Sequence, residues 1–304
     1  MNKSILHLCI TLVICVQLLF STDLQGATYG TMSARGIKVI FPPGMGGAAK
    51  EVISLYPAAR GEVEEFFGWS LIGTLTVLIN KEQRQGFAET SKDLVVGYAI
   101  PKRSLIVIFY SRTSTSPRNL TVVLKHELCH IILHQYISRV IVPRWLDEGI
   151  AQVVSGTAGE VGVGRESDVL RLARKTRGVI SLESLKESLP SRPEGVLLAY
   201  AESREFVRYL INKFGRSRVL SILRVMREGI PAREAIYKIT GSKLQDLEVR
   251  WSRTLEKRDT WFARLSYYLY EILFGLAALI CAYAFLRQIR ARRLNKDSGD
   301  LEEE

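Results

Sequence analysis

The chain has 304 residues, 47% of them hydrophobic, and its 42 basic and 31 acidic side chains give a formal net charge of +11 at pH 7. This length is ample for one domain with a real core, and the four cysteines give no disulfide framework. The positive charge suggests nucleic-acid binding, but no recognition motif is present and we expect no nucleic-acid partner; attraction to anionic lipid headgroups or to an acidic envelope polymer is the better explanation.

The first 26 residues form a predicted export signal. One lysine, Lys3, precedes an apolar run over residues 5–20, and cleavage is expected at small residues near Gly26 or Ala27. Residues 1–26 are therefore interpreted as a signal peptide or, if they are not cleaved, as a signal anchor whose N-terminus lies in the cytoplasm. In both cases the segment that follows is exported.

A small sheet is predicted at the start of the exported domain, which we place at residues 27–260. A helix is expected over residues 48–67, ended by Gly68, and strands are expected at 36–41, 74–80, 93–100 and 104–110. The last two strands form a predicted hairpin directly before a helix that begins with Ser116 as N-cap and Pro117 in the first turn.

That helix carries the run HELCH, which contains His126, Glu127 and His130. Residues four apart lie on one helical face, so both imidazoles can reach one ion, and zinc takes nitrogen ligands at about 2.0–2.1 Å in a tetrahedral arrangement. Glu127 points about 100° round the helix from His126. There it can act as the general base for a water molecule whose pKa the metal lowers to about 7.

A catalytic zinc ion needs a third protein ligand, and the other two histidines do not supply it. His134 lies eight residues from His126, about 12 Å along the helix axis, and is interpreted as a packed or surface residue. His7 lies in the export signal. The third ligand is therefore expected to be a carboxylate.

Two adjacent acids occur in a predicted helix over residues 143–154, for which Pro143 suits the first turn. We favour Glu148 as the third ligand because its neighbour Gly149 leaves room for the close approach of the helix that carries HELCH. Asp147, about 100° away round the helix, can instead hydrogen-bond the back of a ligand histidine.

The run HELCH, followed after seventeen residues by WLDEGIA, resembles the gluzincin metallopeptidases, whose second motif commonly has the form WLxEGxA. Over residues 36–255 the chain is more similar to the small bacterial peptidase MA-like proteins. This similarity includes the hairpin segment VVGYAIPKRSLIVIFY and the later block AYAESREFVRYLINKFG.

The resemblance implies that His126, His130 and Glu148 are the ligands of one zinc ion and that Glu127 is the general base. Gln152 departs from the family pattern, because such sequences often carry a second acid at this position. The departure concerns a supporting position and leaves the implied ligands unchanged.

Residues 156–260 are predicted to be mostly helical, with breakers at Gly178, Pro190, Pro193, Gly215, Gly229 and Gly241. Gluzincins often place a tyrosine or histidine from this half over the zinc ion to stabilise the oxyanion, and no histidine remains here. Tyr200 is therefore a candidate catalytic residue. The alternative, in which Tyr200 packs in the helix core beside Phe206 and Tyr209, stays equally open.

Residues 265–286 form a predicted transmembrane helix. The stretch has one charged residue, Glu271, and is long enough to cross about 30 Å of hydrocarbon. Aromatic residues precede it and basic residues follow it, so the tail, residues 287–304, is expected in the cytoplasm and the zinc domain outside the membrane. Glu271 is interpreted as a tolerated residue near the interface rather than as a functional acid.

These features predict an α+β fold: a small mixed β-sheet with a zincin-like HExxH helix over residues 27–155, a mostly α-helical half over 156–260, and a C-terminal transmembrane helix. The expected function is that of a membrane-anchored zinc metallopeptidase that cleaves peptide or protein substrates in the cell envelope. Endopeptidase activity is favoured because no acidic cluster is placed to hold a free N-terminal amine. Two alternatives stay open: a non-catalytic zinc-binding scaffold and a metallohydrolase that acts on a non-peptide envelope component.

Overall fold

The structure is a computed structural model that describes residues 29–81, 96–113, 117–156, 181–186, 190 and 193–299. The predicted export signal, the predicted N-cap Ser116 and the predicted breaker Gly178 lie outside these residues. The chain divides into two compact units, Met1–Glu248 and Val249–Glu304.

The first unit contains a five-stranded mixed sheet. Its strands, in chain order, are β1 (Gly30–Ala34), β2 (Ile37–Phe41), β3 (Leu75–Asn80), β4 (Gly97–Ile100) and β5 (Leu105–Phe109). Their order across the sheet is β1-β2-β3-β5-β4. The three inner strands run parallel, whereas β1 and β4 pair antiparallel at the two edges. The predicted mixed sheet is thus confirmed, and the predicted hairpin is β4 and β5.

Helix α1 (Gly46–Phe67) packs against β2 and covers part of the sheet. It ends where the sequence predicts, because Gly68 adopts a left-handed conformation (φ 63°) that ends the helix without a Cβ clash. Apart from Ala48 at its start, its buried residues recur every three or four positions, as expected of a helix with one apolar face. These residues are Ala49, Val52, Tyr56, Ala59, Val63 and Phe67.

Two helices after the sheet carry the motif residues. A short helix, α2 (Tyr110–Thr113), is followed by α3 (Pro117–Tyr136), which holds HELCH, and by α4 (Arg144–Ser155), which holds WLDEGIA. Helix α3 packs against α1, α4 and β4. Gly97 of β4 allows a close approach, since a Cβ atom there would lie only 3.1 Å from Cγ1 of Val123.

Helix α4 begins at Arg144, one residue later than predicted, because Pro143 has an extended ψ of 140° and serves as the N-cap. The segment 181–186 covers this helix end. The backbone N–H groups of Arg144 and Trp145 donate to carbonyl oxygens of that segment at 3.1 and 3.3 Å. These bonds satisfy two of the N–H groups that a helix start leaves free. They fix the first turn of the helix that carries Glu148.

The helical half is confirmed as well. It comprises α5 (Pro193–Phe214), α6 (Arg216–Arg227), α7 (Ala232–Thr240) and the start of α8 (Leu244–Gly299). The predicted breakers at Gly215, Gly229 and Gly241 all have positive φ and lie at the boundaries between these helices. Helix α5 packs along α4. The helical half therefore packs directly against the helix that carries the second motif.

The second unit consists of helix α8 from Val249 onwards, as far as the structure describes it. Within α8, the stretch Glu271–Arg290 has 20 residues and a mean hydropathy of 1.9. By length and composition it can cross a membrane. It overlaps the predicted transmembrane segment, residues 265–286, from Glu271 onwards.

Candidate metal centre

His126 and His130 lie on successive turns of α3 and turn their rings inward. Only 7% and 9% of their surfaces are exposed. The two Nε2 atoms lie 3.2 Å apart, and the rings meet edge to face with an interplanar angle of 78°. Residues four apart on a helix lie one above the other, so both nitrogens point into the same small volume.

Glu148 of α4 completes this group. Its Oε2 lies 3.4 Å from Nε2 of His126 and 3.6 Å from Nε2 of His130. With the 3.2 Å between the two nitrogens, the three atoms form a nearly equilateral triangle. A tetrahedral zinc ion with ligands at about 2.0–2.1 Å requires ligand separations of about 3.3–3.4 Å. The three donor atoms therefore have the spacing of one face of a zinc tetrahedron.

The chemistry of the group also fits a metal ion. Glu148 is 3% exposed, and within the described residues its Oε2 is a buried oxygen without a hydrogen-bond partner. A buried carboxylate oxygen that lacks a hydrogen-bond partner is costly, and a bound cation would satisfy it. Two imidazoles and one carboxylate are a known ligand set of catalytic zinc sites, which keep the fourth position open.

Asp147 joins two histidines of α3. It is 3% exposed, and its Oδ1 accepts a hydrogen bond from Nδ1 of His130 at 2.7 Å. Its Oδ2 accepts a second hydrogen bond from Nε2 of His134 at 2.8 Å. An ionised carboxylate can only accept, so Nδ1 of His130 must carry the proton in this bond. This tautomer leaves the Nε2 lone pair of a neutral His130 directed at the donor triangle.

The carboxylates around His130 strongly affect its protonation in the metal-free protein. Burial alone lowers its pKa, but the charges of Asp147 and Glu148 outweigh burial and raise the pKa to about 10. Burial alone would likewise raise the pKa of Asp147, but His130 and His134 hold it well below its usual range. Without metal, His130 and Asp147 therefore form a buried ion pair at neutral pH.

Glu127 follows His126 on α3 and is 4% exposed. Its negative charge contributes to the raised pKa of His130 and of Arg144, so its carboxylate lies within electrostatic reach of both. The predicted general base is thus buried beside the donor triangle. It belongs to the same cluster of charges as the three predicted ligands.

The sequence patterns did not indicate Arg144 as a site residue. Its Nη1 lies 3.4 Å from Oε1 of Glu148, the carboxylate oxygen that does not face the histidines. Burial lowers the pKa of Arg144, but the charges of Glu148 and Asp147 outweigh it and raise the pKa. The side chain is still 45% exposed. The i, i+4 spacing of Arg144 and Glu148 was the available signal, because such pairs meet on a helix surface.

Tyr200 lies on α5 and is half-buried. Its phenol is among the groups that raise the pKa of Arg144, so it is close to the charged cluster. Its backbone carbonyl accepts a hydrogen bond from Nε2 of Gln152 at 3.2 Å. Gln152, the departure from the family pattern, thus connects α4 to the turn of α5 that carries Tyr200.

Gly149 lies against a different helix from the one we expected. A Cβ atom at Gly149 would lie 2.5 Å from the carbonyl oxygen of Ser203 and 2.7 Å from Cγ2 of Val207, both on α5. The expectation that Gly149 makes room for the helix of HELCH is therefore wrong. The glycine instead allows α4 to pack closely on the helical half.

Comparison with known proteins gives one family. Residues 74–257, more than half of the chain, match the Peptidase MA superfamily. No curated protein matches the sequence.

The solved structures that are similar to this chain include two peptidases. One is Legionella pneumophila aminopeptidase A in complex with aspartic acid, with a TM-score of 0.45 and 16% identity, covering 74% of this chain and 27% of that chain. The other is an M1 zinc metallopeptidase from Deinococcus radiodurans, with a TM-score of 0.46 and 14% identity, covering 74% of this chain and 52% of that chain. The chain spans about a quarter of the first protein and about half of the second.

Proposed function

Because the chain belongs to the Peptidase MA superfamily, we propose that it is a membrane-tethered zinc metallopeptidase of the cell envelope. His126, His130 and Glu148 are the ligands of one zinc ion, and Glu127 is the general base. The observation that carries this proposal is the donor triangle, with sides of 3.2, 3.4 and 3.6 Å. These separations are close to those that tetrahedral zinc requires.

Zinc bound at this triangle would polarise the scissile carbonyl and lower the pKa of a water molecule to about 7. Glu127 accepts the proton that this water loses as it attacks the peptide carbon. Glu127 then donates the proton to the nitrogen of the leaving amine, because a peptide nitrogen must be protonated before its bond to carbon breaks. Such proton transfers by a positioned side chain typically contribute about 10²–10⁴-fold to the rate.

Tyr200 is proposed to donate a hydrogen bond to the oxyanion that forms on the attacked carbonyl. Its position near Arg144, on the helix that packs against the Glu148 helix, supports this role. Arg144 binds Oε1 of Glu148 and thereby directs Oε2 towards the two imidazoles. The positive charge of Arg144 also offsets part of the negative charge of the three carboxylates around the site.

The envelope location rests on the two apolar ends of the chain. The N-terminal signal exports the zinc domain, and the stretch Glu271–Arg290 anchors it, with the C-terminal tail in the cytoplasm. A peptide or protein of the envelope is the proposed substrate. Endopeptidase activity is favoured, since no acidic cluster in the sequence is placed to hold a free N-terminal amine.

A Glu127→Gln variant tests the mechanism. The amide keeps the size of the side chain but cannot act as a base, so zinc content should stay at one ion per chain while hydrolysis is lost. The matched control is Glu62→Gln, which removes a carboxylate that pairs with Lys125 of the same helix α3 at 2.9 Å. Envelope proteins of cells that carry the wild type and each variant are compared for new peptide termini by mass spectrometry.

Termini that depend on Glu127 and persist in Glu62→Gln would identify the substrates. If Glu127→Gln produces the same termini as the wild type, the proposed mechanism is wrong. That result together with full zinc binding by both proteins would favour the non-catalytic scaffold.

A further inference from the structure

Three histidines of α3 follow one another at intervals of four residues, and two of them are the proposed zinc ligands. The third, His134, lies two turns beyond His126 and does not belong to the donor triangle. Its Nε2 nevertheless lies 2.8 Å from Oδ2 of Asp147. The other oxygen of the same carboxylate, Oδ1, lies 2.7 Å from Nδ1 of the ligand His130. One buried carboxylate therefore bridges a ligand and a histidine outside the site.

The two bonds restrict the carboxylate at both ends. Since an ionised Asp147 can only accept, His130 donates through Nδ1 and His134 donates through Nε2. A carboxylate held at one oxygen alone can still rotate about its terminal bond. With both oxygens occupied, Oδ1 stays in line with Nδ1 of His130, which fixes the ring orientation and the tautomer of the ligand.

The positions of the two side chains relative to solvent differ. Asp147 is 3% exposed, whereas the side chain of His134 is 34% exposed. Removing the imidazole of His134 would open Oδ2 to water, which binds less rigidly than a ring fixed on a helix. His134 thus covers the outer side of the carboxylate and holds it against the ligand.

We propose that His134 is a positioning residue, which acts through Asp147 on the ligand His130 and slows the release of the metal. This role deepens the proposed function and rests on the zinc site described above. Asp147 is in direct contact with a ligand, so its loss should have the larger effect, roughly 10- to 100-fold on metal affinity. His134 acts one step further away, and its loss should accelerate zinc release by about 3- to 10-fold, at or below the lower end of that range.

Three substitutions of His134 distinguish the loss of a hydrogen-bond donor from the loss of side-chain volume. His134→Ala removes the donor, His134→Asn places an amide nitrogen too far from Asp147, and His134→Gln places its amide nitrogen close to the position of Nε2. The full-length protein is purified in detergent and loaded with zinc, and the rate of zinc transfer to excess chelator is measured. We expect faster release for the alanine and asparagine variants and a rate within about twofold of the wild type for glutamine. Visible spectra of the cobalt-substituted proteins should differ from the wild type for the alanine and asparagine variants and resemble it for the glutamine variant.

A double substitution tests whether the effect passes through Asp147. If it does, adding His134→Ala to Asp147→Ala should change the release rate little, because the carboxylate that transmits the effect is already gone. An undiminished effect of His134→Ala in that background would overturn the inference. So would a release rate for His134→Ala equal to that of the wild type.

Zinc content and zinc release rates test the metal site and the role of His134 separately. If the wild type binds one zinc ion and Glu148→Ala binds none, the metal site stands whatever the His134 variants do. If the wild type binds no zinc, the proposed function itself fails. Thermal unfolding of the zinc-free proteins identifies any variant that is simply unfolded. The glutamine variant then shows whether slow zinc release requires a hydrogen-bond donor at this position.

Discussion

Gly149 lies so close to the carbonyl oxygen of Ser203 that a Cβ atom on the glycine would be only 2.5 Å from that oxygen. The residue before Gly149 is Glu148, whose carboxylate forms one corner of the donor triangle. The close contact between α4 and α5 therefore lies directly beside the residue that faces the two histidines. A glycine in the interior of a helix normally costs stability, and here it allows this contact.

Gly149→Ala should consequently weaken both the fold and the metal site. The added methyl group must displace a backbone oxygen and the side chain of Val207, which is 2.7 Å away. Overpacking of this kind typically costs about 1–3 kcal/mol. We expect a lower melting temperature and a weaker zinc affinity, measured by thermal unfolding with and without zinc and by competition with a chelator.

Gly61→Ala is the matched control. Gly61 also lies inside a helix, α1, but a Cβ atom there would meet nothing within 4 Å. The same substitution should stabilise this helix by about 0.5–1 kcal/mol through the unfolded state and helix propensity. Equal effects of the two substitutions on melting temperature would contradict the close packing of α4 on α5.

Zinc content distinguishes the two adjacent acids of α4. Glu148 offers an oxygen to the triangle, whereas the carboxylate of Asp147 accepts hydrogen bonds from His130 and His134. We expect Glu148→Ala to lose the ion during purification and Asp147→Ala to retain it with reduced affinity. Elemental analysis of the purified proteins measures both. Equal zinc in wild type and Glu148→Ala would remove Glu148 from the ligand set.

Zinc uptake should release a proton from His130. A metal ligand must be a neutral imidazole, but Asp147 and Glu148 raise the pKa of His130 in the metal-free protein to about 10. At pH 8 this histidine is therefore protonated, whereas an unperturbed histidine, with a pKa of about 6.5, is not. Zinc affinity should rise with pH until about pH 10 and fall as the solution becomes more acidic.

Calorimetry in buffers of different ionisation enthalpy counts the released protons. At pH 8 we expect the wild type to release about one more proton than Asp147→Asn. In that variant the neutral amide no longer stabilises the protonated form of His130. If both proteins release the same number of protons, the buried ion pair of His130 and Asp147 does not exist in solution.

Local sequence patterns were sufficient for most elements of the sheet domain. The alternation in β3 and the glycine after α1 have local physical causes, namely the period of a strand and the left-handed end of a helix. Strand β1 was not predicted, because an edge strand with largely exposed residues has little apolar pattern. The position of β5 between β3 and β4 is set by tertiary pairing, which no local pattern encodes.

Some features of the candidate site likewise follow from local sequence spacing, and others depend on tertiary packing. The i, i+4 spacing of His126 and His130 is a property of any helix, so their shared direction follows from the sequence. The bond between His134 and Asp147 depends on how α3 and α4 cross, and spacing along α3 shows only that His134 is too far to bind the same ion. The covering of the α4 start by residues 181–186 likewise arises between segments distant in sequence.

Tyr200→Phe tests the proposed oxyanion donor. A hydrogen bond formed only to the developing oxyanion should affect kcat and leave KM and zinc content unchanged, because neither substrate nor metal binding uses it. Loss of such a donor typically costs about 10²–10³-fold in kcat. Tyr209→Phe on the same helix is the control, since its hydroxyl accepts a bond from Lys213 at 2.9 Å. Unchanged peptide hydrolysis by Tyr200→Phe would contradict the oxyanion role and favour a packing role for Tyr200.

The proposed membrane anchor can be weakened without altering the zinc domain. In the stretch Glu271–Arg290, Leu276 and Ile280 are 55% and 59% exposed, as expected of side chains that face lipid. Replacing both by arginine adds about 3 kcal/mol each to the free energy of insertion. We expect the double variant to be released by alkaline carbonate from membranes that retain the wild type, provided that mass spectrometry finds the N-terminus cleaved near Gly26 or Ala27.

Tyr237→Arg with Val249→Arg is the control for this prediction. These two residues are also apolar and exposed, at 57% and 50%, and the pair adds the same charge outside the apolar stretch. Because no lipid contact is lost, this variant should stay in the membrane fraction. An uncleaved N-terminus would keep both variants membrane-bound through the signal anchor. Retention of the Leu276→Arg and Ile280→Arg variant after cleavage would instead show that Glu271–Arg290 does not anchor the protein.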